Sequence, residues 1–153
     1  MKFTTLALCT LMVGGAGFVV TSAFAGAGDD AVKGRQACMK AQGASMGVSM
    51  PIIKGEKPFD KAAIAAAFGN VDKACADWAK FWAPGTDKGE TLESWAKPEI
   101  WTDGKGFEAA GRVWALAAQD VKGAADLAAF KAAMPALGDG CKGCHEKFRR
   151  PKG

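Results

Sequence analysis

The chain has 153 residues and a formal net charge of +4, a size that fits one domain. Basic and acidic residues are interleaved along the chain, which excludes the basic stripe that nucleic-acid binding needs. Alanine is abundant and β-branched residues are sparse, so the composition favours helices over strands.

Residues 1–25 are typical of a secretory signal peptide. Lys2 supplies the positive start, an apolar run covers 6–20, and 23–25 form a small-x-small cleavage site. The run is interrupted by glycines and is shorter than the roughly 20 residues that span a bilayer, so we predict cleavage rather than a membrane anchor. Cleavage removes one Lys and no acid, which leaves residues 26–153 with a charge of +3 and no membrane segment.

Two helices are predicted in the first half of residues 26–153. The first begins at Asp29 and Asp30, whose charges suit the positive end of a helix dipole, and stops before Pro51. The second follows Asp60, a suitable capping residue, and ends near Trp82. Its apolar residues recur at the helical spacing 4-3-4-3-4: Ile64, Phe68, Val71, Cys75, Trp78 and Trp82.

Two further helices are predicted in the second half. The third opens with Pro98 and runs to Gly123, and the fourth runs from Asp126 to about Arg150. Pro135 is expected to kink or divide the fourth helix. Four helices with few long loops predict an all-α fold, an antiparallel up-and-down four-helix bundle.

The residues that carry chemistry are Cys141, Cys144 and His145, which form a Cys-x-x-Cys-His motif. This motif is the signature of c-type haem attachment. Positions three apart share a helix face, so both sulfurs can form thioethers with one edge of a porphyrin, and His145 can bind the iron. The motif therefore predicts one covalently bound haem c.

Two other chemistries are disfavoured. A thioredoxin-type pair would follow a strand, and no strand is predicted before Cys141. A structural zinc site needs four ligands, and Cys38 and Cys75 lie far upstream on other helices. No acid–base or nucleophilic constellation accompanies the motif, so we do not predict an enzyme.

The wider pattern resembles the cytochrome c prime family together with its low-spin, methionine-ligated relatives. The resemblance covers essentially all of residues 29–150 and implies an antiparallel four-helix bundle, usually a homodimer, in the periplasm of a bacterium. It is carried by Arg35-Gln36, by residues 54–60 and 97–101, and by the motif near the C-terminus with Phe148-Arg149 after it.

The resemblance also implies roles for residues around the haem. Arg35 and Gln36 match family residues that contact the haem propionates, and Met39 matches the distal position. Arg149 resembles a proximal gate, although a charge that complements the helix dipole explains it equally well. Two functions remain open: an open or weakly ligated site for diatomic gases such as nitric oxide or carbon monoxide, and an electron carrier for redox partner proteins with Met39 as sixth ligand.

Cys38 and Cys75 have three possible states. The two residues lie at similar heights, about 18 Å and about 22 Å from the connection between the first two helices at 1.5 Å per residue. They can form a disulfide, remain separate buried thiols, or, for Cys38, lie in a small-residue dimer interface.

Overall fold

The computed structural model describes residues 26–151, so the predicted signal peptide lies outside the described part of the chain. The regular elements of this part are all helices, and none of them has the length and apolar character needed to cross a membrane. Four long helices and two single-turn helices follow one another as α1 (Ala27–Ile53), α2 (Lys61–Ala74), α3 (Trp78–Phe81), α4 (Glu99–Thr102), α5 (Gly104–Gly123) and α6 (Leu127–Phe148).

Three helices begin at a capping aspartate. The carboxylates of Asp60, Asp103 and Asp126 each accept a hydrogen bond from the backbone N–H three residues later, at 2.9–3.0 Å. Such a cap satisfies a backbone donor that the helix itself leaves unpaired, and it contributes about 1 kcal/mol. The predicted cap at Asp60 and the predicted start at Asp126 are thus confirmed.

Proline does not end or divide the helices where the sequence predicted it. α1 continues through Pro51 to Ile53, and α6 is unbroken at Pro135. A proline removes the bond to the carbonyl four residues earlier, which belongs to Gly47 in α1 and to Lys131 in α6. Both of these residues are exposed, so water can solvate the freed carbonyl groups.

The predicted second and third helices are each divided in the structure. α2 ends at Ala74, and the backbone leaves the helical conformation at Cys75 before α3 begins. The predicted third helix is divided at Asp103, which terminates α4 and caps α5. Both breaks place aromatic residues at one end of the bundle. This arrangement depends on tertiary packing and cannot be seen in the helical periodicity of the sequence.

The apolar core lies in two separate clusters. The larger one joins α1, α2, α5 and α6 and contains Phe68 and Phe130, which are 1% and 0% exposed. The smaller one, at the other end of the bundle, contains Ile100, Phe107 and Phe148, with three tryptophans packed against it: Trp78, Trp82 and Trp101. The motif cysteine Cys144 contacts the smaller cluster.

Cys38 and Cys75 form a disulfide, with their Cα atoms 4.9 Å apart. This pairing selects one of the three states expected from the sequence and removes both residues as zinc ligands. A cross-link over 37 residues stabilises a protein by about 4 kcal/mol in the chain-entropy treatment. The bond joins the middle of α1 to the end of α2.

The connection between α3 and α4 is fastened to both ends of the described chain. At the N-terminal end, the Asp29 carboxylate accepts hydrogen bonds from the Thr91 hydroxyl, the Thr91 N–H and the Leu92 N–H. At the C-terminal end, the Arg150 N–H donates to the Trp95 carbonyl at 2.8 Å. These contacts hold an irregular segment against the smaller cluster.

We predict that Asp29→Asn makes folding less sensitive to acid. The hydrogen bonds from Thr91 and Leu92 lower the pKa of Asp29 from 3.8 to about 2. A lowered folded-state pKa contributes stability that is present above pH 3.8 and is lost as the pH falls toward 2. Urea unfolding between pH 6 and pH 2 should therefore show a lower midpoint at pH 6 and a shallower acid decline in the variant.

Asp30→Asn is the matched control for this prediction. Asp30 occupies the same first turn of α1, so it shares the helix-dipole effect, and its side chain pairs only with the exposed Lys33, at 3.6 Å, in the described structure. An equal change in both variants would show that the dipole, rather than the contacts to Thr91 and Leu92, makes Asp29 acid-sensitive.

Candidate functional site

The last turns of α6 carry the three residues of the motif. Cys141 and Cys144 are half-buried free thiols, and His145 follows them on the same helix. Because α6 is continuous, residues 141 and 144 lie on one face. The structure thus brings the two thiols and the imidazole together at the end of α6.

Two adjoining cavities, of about 520 and 450 Å³, lie beside the motif. Four residues line both of them: Met39, Trp78, Cys144 and His145. The first cavity extends toward α2 and α5, where Gln42, Cys75 and Trp114 line it together with Cys141. The second extends toward the connection before α4, where its walls include Arg35, Gln36, Trp95 and Arg149. We refer to the two cavities together as the cleft.

A close approach of α5 and α6 places Cys141 at the cleft. A Cβ atom added to Gly140 would lie 3.0 Å from the Cα of Trp114. Only glycine at this position lets the two backbones come so close without displacing one of them. The glycine immediately before the motif is therefore a structural requirement of the site.

The site favours a neutral imidazole. The pKa of His145 is lowered, first because the imidazole is partly withdrawn from water and second because the Arg149 guanidinium lies near it. A neutral imidazole is the form that binds a metal. Burial also raises the pKa of Cys141 and of Cys144, so both are protonated thiols at neutral pH.

Arg35 is buried and clamps the wall of the cleft. Its guanidinium donates to the Phe81 carbonyl at 2.8 Å, to the Ser94 hydroxyl at 3.2 Å, and to the carbonyl and hydroxyl of Thr86. It also lies over the Trp82 ring, 4.5 Å from the centroid. These contacts use four of its five N–H donors.

Arg35 forms no direct ion pair in the described structure, although the charge of Asp87 acts on it from a longer distance. Burial lowers its pKa to about 10, so the guanidinium stays charged at neutral pH. No carboxylate oxygen of residues 26–151 lies within 4.0 Å of it. A buried unpaired charge is unfavourable, and an anionic group in the adjoining cavity would compensate it.

The remaining predicted site residues also line the cleft. Gln36 donates to the Glu93 carbonyl at 3.4 Å, and the Arg149 guanidinium lies 5.8 Å from the centre of the Trp95 ring. Met39 projects from α1 and lines both cavities, as does His145 from α6.

Sequence reasoning missed two parts of the site. Ser94 lines the second cavity from an irregular segment that carries no periodic signal. Gln42 lines the first cavity, and its position three residues after Met39 could have placed it on the same helical face.

The cleft fits a large, mostly apolar cofactor with acidic substituents. The Nε1 atom of Trp82 is buried and has no hydrogen-bond partner among the described residues. An orphaned donor of this kind is rare in complete proteins, and it indicates a missing partner in the cleft. The unpaired charge of Arg35 fits a carboxylate, and the two thiols fit covalent attachment.

A helical bundle with Cys-x-x-Cys-His at the end of its last helix defines a class of c-type haem proteins. The family model described as Cytochrome C' matches residues 30–149, and the chain belongs to this family. Its members bind covalently attached haem c, which confirms the cofactor predicted from the motif. The resemblance found in the sequence and the predicted four-helix bundle are confirmed as well.

The chain is similar both to cytochromes c' and to cytochromes c-556. Cytochrome c-556 of Rhodopseudomonas palustris is 37% identical over 150 residues, which cover 95% of this chain and 99% of the relative. Cytochrome c' of Rubrivivax gelatinosus is 35% identical over 123 residues, covering 78% and 94%. The crystal structure of cytochrome c' from Rubrivivax gelatinosus matches with a TM-score of 0.71 and 32% identity over 80% of this chain and 97% of the other.

A nitric oxide complex is also among the similar structures. It is a variant of cytochrome c prime from Alcaligenes xylosoxidans, with a TM-score of 0.69 and 32% identity over 81% of this chain and 97% of the other.

We predict that Gly140→Ala destabilises the protein by about 1–3 kcal/mol, because the added methyl group meets the Trp114 backbone and forces α5 and α6 apart. Gly138→Ala is the matched control on the same helix. A Cβ at Gly138 meets nothing within 4 Å, so better helix propensity should stabilise that variant by about 1 kcal/mol. Urea unfolding measures both, and two changes of the same sign would contradict the prediction.

Proposed function

We propose that this protein holds one haem through thioethers at Cys141 and Cys144, with His145 as an iron ligand and Met39 on the distal side. We further propose that the distal side is open or weakly ligated and binds diatomic gases such as nitric oxide or carbon monoxide. One observation carries the proposal: the two thiols, the imidazole and Met39 all border a single cleft.

The haem supplies an iron centre for one-electron chemistry and gas binding, and the side chains of the cleft decide which of these prevails. His145 is held neutral and is thus available to the iron. The buried guanidinium of Arg35 offers a charge for a propionate, and Gln36 lies next to it in sequence. Arg149 lies on the imidazole side, where it influences His145 electrostatically.

The position of Met39 supports a second candidate function. A thioether at the centre of the cleft can itself bind the iron, which gives a low-spin His/Met electron carrier. The similarity to cytochromes c-556 as well as to cytochromes c' leaves both candidates in the same family. In either case the protein carries electrons or binds a gas, and it is not proposed to be an enzyme.

We also propose that the protein acts in the periplasm as a homodimer that meets redox partner proteins. The predicted signal peptide at 1–25 supports export, and the disulfide between Cys38 and Cys75 is of a kind that persists in oxidising compartments.

Removing both motif thiols should abolish covalent haem attachment. The Cys141→Ala, Cys144→Ala double variant keeps His145 but has no sulfur for a thioether. Haem staining after a denaturing gel should be lost, whereas a variant without Cys38 and Cys75 should still stain. Haem stain on the double variant would refute the assignment of the attachment site.

Met39→Leu should change the distal side of the haem. If Met39 ligates the iron, the absorption spectrum of the variant should change from low-spin to high-spin. If the site is open, the spin state should stay high and the carbon monoxide affinity should change, because a branched side chain then borders the binding position. Neither change would be seen if Met39 faced away from the iron.

A further inference from the structure

We infer that the Cys38–Cys75 disulfide holds Met39 and Trp78 in fixed positions on the wall of the cleft. By fixing these two residues it limits access to the distal side of the haem. The inference rests on the proposed function, since it requires that the iron binds within the cleft and that Met39 faces it.

Each half of the disulfide is adjacent to a residue that lines both cavities. Cys38 directly precedes Met39 on α1, and Cys75 lies three residues before Trp78, the first residue of α3. Of the four residues shared by the two cavities, Met39 and Trp78 are the two outside the haem-binding motif. The covalent bond therefore couples two helices at the height of the cleft.

The break between α2 and α3 makes such a link effective. Cys75 is the residue at which the backbone leaves the helix, and the Trp78 N–H donates to the Cys75 carbonyl at 3.0 Å, so α3 is joined to α2 by a turn rather than by a continuous helix. A cross-link at this junction fixes the point from which Trp78 enters the cleft. Cys38 itself is 0% exposed, so its side of the link is fixed by packing on every side.

Apolar packing holds the two halves of α1 unequally. The larger cluster contains Ile52 and contacts Met46 and Ile53, all in the C-terminal half of α1. Neither cluster includes a residue of α1 before Met46 among the described residues. The half that carries Met39 buries Ala31 and Val32 outside these clusters and packs Gly34 against the Phe81 ring. Asp29 and Arg35 attach it through hydrogen bonds, and the disulfide is the covalent attachment that leads to the α2–α3 junction.

Gln42 extends this arrangement into the first cavity. Its Nε2 donates to the Cys38 Sγ at 3.4 Å and lies 3.9 Å from the Cys75 Sγ. Gln42 and Met39 are three residues apart on the same face of α1, and both line the first cavity. The sulfur pair thus orients a second side chain on the distal wall.

If the disulfide acts in this way, its loss should let Met39 move away from the iron. The Cys38→Ala, Cys75→Ala variant should bind carbon monoxide several-fold faster in the ferrous state than the unmodified protein. If Met39 ligates the iron, the variant should also show a larger high-spin fraction. Amide hydrogen exchange over residues 36–42 should be faster, a readout that does not depend on gas binding.

A double-mutant cycle with Met39→Leu isolates the positioning role. If the disulfide acts through Met39, then removing it in the Met39→Leu background should leave the carbon monoxide rate unchanged. Ile52→Ala is the control for general destabilisation, because Ile52 is buried in the larger cluster and lines neither cavity. That variant should lower the unfolding midpoint without altering the rate.

The same comparison can be made without refolding a variant. A water-soluble phosphine would open the disulfide of the folded protein, and thiol counting would verify that two new thiols have formed. An unchanged rate after loss of the disulfide, while Met39→Leu alone changes it, would overturn the inference and leave the proposed function intact. A rate change that persists in the Met39→Leu background would also overturn it. If Met39→Leu alone had no effect, the proposed distal role of Met39 and the inference would both be wrong.

Discussion

α5 and α6 approach each other closely where Gly140 faces Trp114, and the position of the motif beside the cleft depends on this contact. The absence of a side chain at residue 140 permits this close approach, and Cys141 follows directly. The indole of Trp114 then forms part of the wall that the cofactor meets.

The two ends of the bundle are stabilised by different kinds of contact. The larger apolar cluster, around Phe68 and Phe130, supplies most of the buried side chains and thus most of the hydrophobic stabilisation. The end with the cleft has fewer buried apolar residues and is held by directed contacts: the Arg35 clamp, the Asp29 hydrogen bonds and the disulfide. Directed contacts fix positions while leaving room for a cofactor, which a closely packed core does not allow.

Much of this organisation could be predicted because it is encoded locally. The motif is contiguous, so its helical spacing alone brings Cys141, Cys144 and His145 together. Helix starts at Asp60 and Asp126 follow from capping chemistry that involves only three residues. The break at Cys75 could not be predicted, since the apolar stripe continues through it, and the reason for the break lies in tertiary packing. The continuity of the helices at Pro51 and Pro135 could not be predicted for a related reason. The free-energy cost of a proline inside a helix depends on whether water solvates the freed carbonyl group, and the sequence does not show this.

Arg35 illustrates the same limit at the site. The resemblance assigns it to the haem, yet the structure shows a guanidinium that also binds three residues of a distant segment, 46 to 59 positions away. Its role at the cofactor remains a proposal, whereas its role as a clamp is visible. A substitution at Arg35 would therefore alter the shape of the cleft as well as its charge.

The segment between α3 and α4 bears on whether the order of the helices along the chain can be changed. It binds Asp29 near one end of the described chain and Arg150 near the other, so it keeps these two chain ends at the same end of the bundle. Proteins with neighbouring ends tolerate circular permutation. Joining these ends through a flexible linker and opening the chain at the exposed turn around Gly55 would give a connectivity in which the haem helix precedes α1. In such a permuted chain the Cys-x-x-Cys-His motif would precede the helix that carries Met39.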